Sequence, residues 1–390
     1  MKASDATRKI MFFIPDLNGG GAERALLNLL NYWPPDLRSQ WQPVLVVRRL
    51  AGAYVNDVPN WVEVASLDLP RFGVGSSVQT ISRLAKILRI LCPAVVITFL
   101  SHPSVVLAKR LARVQCKVIA SVQNPPLEVY ADPGARSLSR SRLSIAIQTQ
   151  AYRLTDLILP TCPGIAQQLQ ERFSVPETRI MILPNSVDCD RIKQYKTERF
   201  DHAAFTDSAV PVVITAGRLV YQKGVDVLIK AMGLLRERMR FRVVILGEGP
   251  ERPNLERLTV QQGLADRVFF LGFQQNPWRF IGRAAVFVLA SRYEGFGNVL
   301  IEAMACGIPV VTTAAPFGPE YIVAGHNCGL LVPVEDPPAL AYAVEQVLTD
   351  EALRTQLRAG ALRRAEEFDV SHVFKRFWSL MQMLLEEEGR

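Results

Sequence analysis

The densest chemistry in the chain lies in the run Ser291-Arg292-Tyr293-Glu294-Gly295-Phe296-Gly297-Asn298-Val299-Leu300-Ile301-Glu302-Ala303. Gly295 and Gly297 permit a tight loop, and a helix is expected to begin near Asn298. The first N–H groups of such a helix have no partners inside it, so the amides around Gly297–Val299 form a seat for phosphate. Glu294 stands on the loop before the helix, and Glu302 about one turn inside it, able to reach back along the same side. Ionised carboxylates are strong acceptors, and a pair bracketing a phosphate seat suits the hydroxyls of a sugar. Two acids at this spacing mean little alone. Around a Gly-x-Gly at a strand-to-helix turn they are much more specific.

Three further clusters follow apolar runs. In Ala216-Gly217-Arg218-Leu219-Val220-Tyr221-Gln222-Lys223-Gly224 two cations share one loop. A planar Arg fork and a Lys point charge together suit a diphosphate, although a pair of solvated surface charges reads the same way. Leu246-Gly247-Glu248-Gly249-Pro250 offers small residues that shape either a nucleotide pocket or an ordinary tight turn. Asn18-Gly19-Gly20-Gly21-Ala22-Glu23-Arg24 lets backbone approach a ligand just before a helix at Ala25–Leu30, or is merely a flexible turn.

These clusters need strands and helices to position them. Apolar runs at Ile10–Ile14, Val44–Val47, Val95–Phe99, Val118–Val122, Leu157–Leu159 and Ile180–Leu183 alternate with helical stretches. After a polar stretch near 196–209 the pattern restarts at Val212–Thr215, Arg242–Leu246, Val268–Leu271, Val286–Leu289 and Pro309–Thr312. Continuous apolar strands separated by helices predict parallel sheets covered on both faces. Two series predict an α/β protein of two doubly wound, Rossmann-like domains, 1–200 and 201–370, with a cleft between them as the natural site. The remaining segment, 371–390, carries Val373, Phe374, Phe377, Trp378, Met381, Leu384 and Leu385 at helical spacing, and is expected to pack back on a domain surface.

Composition bounds the function. With 390 residues, 49% hydrophobic and 21% charged, the chain has ample core. Six cysteines scattered singly argue against a disulfide framework or zinc site and fit a reducing compartment. The N-terminal apolar run is too short for a signal peptide or a membrane span. The net charge of +8 is unevenly placed, with the excess of Lys and Arg in the first half and concentrated in 71–153. That stretch is read as attracted to anionic lipid or to a phosphate-bearing acceptor, the bland alternative being a solvated basic face. Arg136, Arg140 and Arg142, with Leu138, Leu143, Ile145 and Ile147 among them, are expected to lie in a membrane interface rather than span it. No motif supports nucleic acid as a partner.

The strings GGGAER (19–24), LPNSVD (183–188), AGRLVYQKG (216–224), LGEGP (246–250), LGF (271–273) and EGFGNVLIEAMACGIPVV (294–311) resemble the donor site of glycosyltransferase family 4, a retaining family of the two-domain GT-B type. They occur in family order across nearly the whole chain. The resemblance implies that Arg218 and Lys223 bind the diphosphate and stabilise the leaving group, with Glu294 as the third catalytic residue, contacting the transferred sugar. It implies that Glu302 holds the ribose, and that Gly297, Asn298 and Val299 seat phosphate. Gly217, Glu248, Gly249, Phe273, Gly295 and Phe296 complete the donor wall, and Gly20 and Gly21 lie near the phosphates and acceptor. The chain is most similar to enzymes that extend undecaprenyl-diphosphate-linked glycans with UDP-N-acetylhexosamines. The implied partners are thus a UDP-sugar and a lipid-linked or glycan acceptor, at the cytoplasmic face of the plasma membrane. Many relatives carry a histidine beside the donor sugar, where this chain has Gln123 in Ser121-Val122-Gln123-Asn124-Pro125; the nearby His102 reads either as a substitute for it or, as a lone histidine more often is, as a structural residue.

Asp188-Cys189-Asp190 matches the Asp-x-Asp metal pattern of another glycosyltransferase fold, but its position before a short basic helix reads better as a helix cap or a linker. No cofactor or metal is therefore expected, and cations with a helix dipole handle the leaving-group charge. A nucleotide-sugar 2-epimerase and an inverting GT-B transferase with a soluble acceptor remain alternatives on the same fold. An NAD-binding oxidoreductase is disfavoured by the lack of GxGxxG after any strand. A non-catalytic membrane scaffold is disfavoured by the complete set of donor residues.

Overall fold

The computed structural model describes residues 7–70, 76–126 and 142–386. They form two compact units, one comprising the described residues through Ser186 together with Val370–Glu386, the other running Val187–Asp369.

The first unit holds a six-stranded parallel sheet: β1 (Arg8–Ile14), β2 (Trp41–Val47), β3 (Glu63–Ser66), β4 (Val95–Phe99), β5 (Lys117–Val122) and β6 (Leu157–Pro160), in the order β3-β2-β1-β4-β5-β6. Along β1 alternate side chains enter opposite cores. Ile10, Phe12 and Ile14 pack with the helix Gly21–Tyr32, and Met11 and Phe13 with the helices Ser76–Leu91 and His102–Ala112. This two-sided burial is why β1 reads as an unbroken apolar run. The C-terminal helix Val370–Glu386 joins the first of these cores through Val373, Phe374, Phe377, Met381 and Leu384. Trp33 meets Phe12 and Phe374 edge-on, with centroids 6.0 and 5.4 Å apart.

The second unit repeats the plan with β7 (Val212–Ala216), β8 (Arg242–Leu246), β9 (Val268–Gly272), β10 (Val286–Leu289), β11 (Val310–Thr313) and β12 (Gly329–Val332), in the order β12-β11-β10-β7-β8-β9.

Three expectations change. The run Ile180–Leu183 is not a strand: it makes a single bridge, Ile158 to Ile180, beside β6. Met181 and Leu183 donate to Ile158 O and Pro160 O, at 3.0 Å each. Extending a parallel ladder would need a return bond from the N–H of residue 160, which proline lacks. The edge strands β3 and β12, short and only partly buried, are additional. The chain passes between units at Ser186/Val187, not near 200, and returns at Asp369/Val370. The reason is local. Val187 N–H donates to Phe368 O, Cys189 N–H to Asp369 Oδ2 and Lys196 Nζ to Cys306 O, all within the second unit.

Candidate functional site

In the second unit the strand order reverses between β7 and β10, which are adjacent and parallel. Helices leave such a pair in opposite directions, so the loops beyond their carboxyl ends open a crevice. These are the loops that carry Arg218, Lys223 and Glu294. The structure brings two of the three into contact, Lys223 Nζ lying 2.5 Å from Glu294 Oε2. Both side chains are largely buried, at 16% and 10% exposure, and Ser291 Oγ donates to the same carboxylate oxygen at 3.1 Å. Arg218 sits exposed on the Lys223 loop. One fixed ammonium, one exposed guanidinium and one oriented carboxylate can grip an anion on one side and a hydroxyl on the other.

Backbone packing explains the glycines. A Cβ on Gly247, whose φ is +128°, would stand 1.9 Å from Gly217 O. The β7 and β8 loops touch main chain to main chain, and Gly217 N–H donates to Leu246 O and Leu219 N–H to Glu248 O. Gly249 lies in the same seam against Leu219 O.

Gly297, in the left-handed conformation at φ +92°, precedes the helix Asn298–Ala305 and, as its N-cap residue, offers that end no side chain. Gly295 and Gly297 are buried, Asn298 and Val299 half-buried. The positive end of this helix therefore faces the loop bearing Glu294. Phe296 departs from its expected place as a donor contact: its ring is buried against Phe368 and Tyr321, leaving only its backbone for a ligand. Glu302 is half-buried and accepts from Trp278 Nε1 at 3.0 Å. Glu248 is exposed and paired with Arg252, and Phe273 is exposed. Asp188 accepts from Arg191 N–H at 2.9 Å and so caps the helix Cys189–Tyr195, while Asp190 points into solvent beside Lys193. Among the described residues no three His, Cys, Asp or Glu side chains cluster as metal ligands.

In the first unit the order reverses between β1 and β4. Gly20 precedes the helix Gly21–Tyr32 after β1. Behind it Arg24 is buried, paired with Asp57 at 3.0 Å and stacked on Tyr54. Gln123, beyond β5, is buried; its Nε2 donates to Ser121 Oγ at 2.7 Å, while Oε1 has no partner among the described residues. It lines a cavity with Ser121, Leu183, Asn185, Ser186 and Phe377. His102 lies flat on Tyr152, with ring centroids 4.2 Å apart, and burial pushes its imidazole down to about 3. That is a packed aromatic rather than a charged substitute for the histidine of relatives.

Sequence reasoning passed over Ser291 and Trp278, which hold the two glutamates. Ser291 lay in plain view before the loop. Trp278 gave no signal, because it comes from the separate helix Trp278–Ile281 and meets Glu302 only through the fold.

Comparison with known proteins agrees with this architecture. A family model described as Glycosyltransferase Family 4 matches residues 19–191, and one described as Glycosyl transferases group 1 matches residues 196–364. The chain is 28% identical over 369 residues to the N-acetylgalactosamine-N,N'-diacetylbacillosaminyl-diphospho-undecaprenol 4-alpha-N-acetylgalactosaminyltransferase of Campylobacter jejuni, covering 93% of this chain and 96% of that one. A second protein of that organism, the GalNAc-alpha-(1->4)-GalNAc-alpha-(1->3)-diNAcBac-PP-undecaprenol alpha-1,4-N-acetyl-D-galactosaminyltransferase, is 27% identical over 380 residues, covering 96% and 98%. The crystal structure of Anabaena HepE in complex with UDP and glucose superposes with a TM-score of 0.77 at 20% identity, over 96% of this chain and 99% of that one. With matches that take in most of both units, the chain carries a Glycosyltransferase Family 4 domain followed by a Glycosyl transferases group 1 domain and has the GT-B fold.

Proposed function

We propose that this glycosyltransferase moves a sugar from a UDP-sugar, an N-acetylhexosamine or hexose, to a lipid-linked glycan, with retention at the anomeric carbon and without a metal ion. The observation that carries the reading is the meeting of Lys223 and Glu294 at the switch point of the second unit, beside the N-terminus of the helix Asn298–Ala305. Lys223, Arg218 and the first amides of that helix hold the diphosphate. As the bond from the anomeric carbon to the diphosphate breaks, charge grows on the departing oxygen, and these groups stabilise it without rearranging. The acceptor hydroxyl forms the new bond from the same face and gives up its proton to the departing phosphate side. Glu294 holds a hydroxyl of the transferred sugar and Glu302 the ribose. Gln123 offers an amide oxygen to a sugar hydroxyl.

The acceptor class is drawn from the two Campylobacter relatives, whose names specify undecaprenyl-diphosphate-linked glycans. A lipid-linked acceptor places the enzyme peripherally on the inner face of the plasma membrane, held to anionic lipid by the basic stretch 71–153. No acidic residue lies between Asp68 and Glu128. Within that acid-free stretch the contacting helices Ser76–Leu91 and His102–Ala112 expose Val78, Ile90, Leu107 and Leu111 beside Arg83, Lys86, Arg89 and Arg110. Cations beside exposed apolar side chains suit an anionic interface. Arg136, Leu138 and Arg140 lie outside the described residues. Among the described residues no helix is long and apolar enough to cross a membrane.

A turnover assay with radiolabelled UDP-sugars and a polyprenyl-diphosphate-linked glycan tests the reading. Labelled lipid-linked product with the donor's anomeric configuration, formed equally in EDTA, is expected. Release of a 2-epimer, an inverted product, or total loss in EDTA restored by manganese would overturn it.

A further inference from the structure

Lys223 and Glu294 sit on loops from different strands, so their contact requires one loop to be held against the other. Arg292 is the centre of the bonds that do this. Arg292 donates its main-chain N–H to Gln222 O at 2.8 Å, and Gln222 Nε2 returns a bond to Tyr293 O at 3.0 Å. The Arg292 guanidinium donates to Tyr221 O at 2.6 Å, grips Asp226 through two bonds of 2.9 Å each, and pairs with Glu335 beyond β12. It also lies 3.9 Å from the centroid of the Tyr221 ring. Asp226 stands in the first turn of the helix Val225–Leu235, which directly follows Lys223 and Gly224. The Arg292 side chain is 10% exposed and its two bonds to Asp226 are part-buried, which limits solvent competition for them.

Arg292 thus spans both flanks of Lys223, at Tyr221 before it and at Asp226 after it, while its own backbone lies two residues before Glu294. A Lys at this position would keep a charge but not the planar fork that serves several acceptors at once. We propose that Arg292 is a positioning residue for sugar transfer: by binding Tyr221, Asp226 and Glu335 together it sets Lys223 against Glu294, and it touches neither donor nor acceptor. The inference rests on the reading that Lys223 holds the donor diphosphate. A group that acts only through Lys223 has nothing left to position once Lys223 is gone.

The test is a double-mutant cycle on the full chain, reading kcat/KM for transfer alongside thermal stability. A displacement of about 1 Å at a reacting group costs on the order of a hundredfold, so Arg292→Ala should lower kcat/KM by roughly ten- to a hundredfold in the native background. In a Lys223→Ala background the same change should cost less than about threefold, because the two effects share one route. Asp226→Asn should behave like Arg292→Ala, and Arg292→Lys should recover only part of the loss. If Arg292→Ala does not fold, Arg292→Lys and Asp226→Asn are carried through the same cycle. Equal fold-losses in both backgrounds, or no loss in the native one, would overturn the positioning role while leaving the donor site standing. A Lys223→Ala variant with native kcat/KM would instead overturn the donor-site reading, and this inference with it.

Discussion

The two units share a sheet order and a switch point, yet equip those points differently. At the second unit's switch the side chains are paired to one another: Lys223 with Glu294, Ser291 with Glu294, Trp278 with Glu302. Loops meet there backbone to backbone, with glycine wherever a Cβ would collide. Around β4 and β5 of the first unit, buried polar atoms lie without partners among the described residues: Gln123 Oε1, His102 Nε2 and Thr98 Oγ1, with Ser186 Oγ in the cavity beside Gln123. A buried polar atom left unpaired costs about 1–3 kcal/mol. On the proposed reading, the second unit's switch point is preorganised for a fixed, highly charged group. The other keeps hydrogen-bonding capacity free, which suits the more variable partner in transfer.

Activity separates the regions most widely. Lys223→Ala is expected to lower kcat/KM by about 2.7–4 kcal/mol, as removal of one preorganised donor does elsewhere. Gln123→Ala, losing one neutral hydrogen bond, is expected to cost about 0.5–1.5 kcal/mol. Steady-state kinetics with one donor and one acceptor measures both. Losses of similar size would break the contrast.

Stability gives a second, smaller separation. In Gly247→Ala the new methyl meets the Gly217 carbonyl at 1.9 Å, and a positive φ adds strain, so a loss above about 2 kcal/mol is expected. In Gly20→Ala the new methyl meets only the end of the Glu23 side chain, 2.5 Å away, at a backbone φ of −87°. The clash is with a side chain rather than with main chain, at an ordinary backbone conformation, and a smaller loss than for Gly247→Ala is expected. Denaturant melts of the two variants settle it, and equal midpoints would mean the seam between the β7 and β8 loops is looser than its geometry.

The last expected effect is a pH dependence confined to the first unit. Burial holds the folded His102 at about 3, below its ordinary value of 6.5. Between those values the unfolded chain binds a proton that the folded chain refuses, so stability is full above pH 6.5 and falls as pH drops toward 3. The slope approaches about 1.4 kcal/mol per pH unit from this group alone. His102→Phe, which keeps a ring against Tyr152, should flatten the fall in melting temperature between pH 7 and pH 5 relative to the native chain. Superimposable profiles would remove His102 as the cause.

Much of this was legible beforehand, for stated reasons. Strands buried on both faces, such as Val95–Phe99 and Val286–Leu289, announce themselves as apolar runs. The edge strands Glu63–Ser66 and Gly329–Val332 do not, because only part of each is buried. The run Ile180–Leu183 has strand composition and fails for want of one N–H, on Pro160, in a different segment. At the site, Lys223 and Glu294 were readable from loop composition, whereas the ring of Phe296, in the same motif, turns inward to an aromatic cluster. Trp278 and Asp226 meet their partners only through the fold, so no local pattern marked them.

The most direct measurement is calorimetric titration of UDP into the native chain, Arg218→Ala and Lys223→Ala, in EDTA. If the β7 and β10 loops form the diphosphate seat, the native chain binds without metal and each variant weakens binding by about 1.5–3 kcal/mol, the worth of a hydrogen bond to a charged group. Native affinity in both variants would place the diphosphate elsewhere.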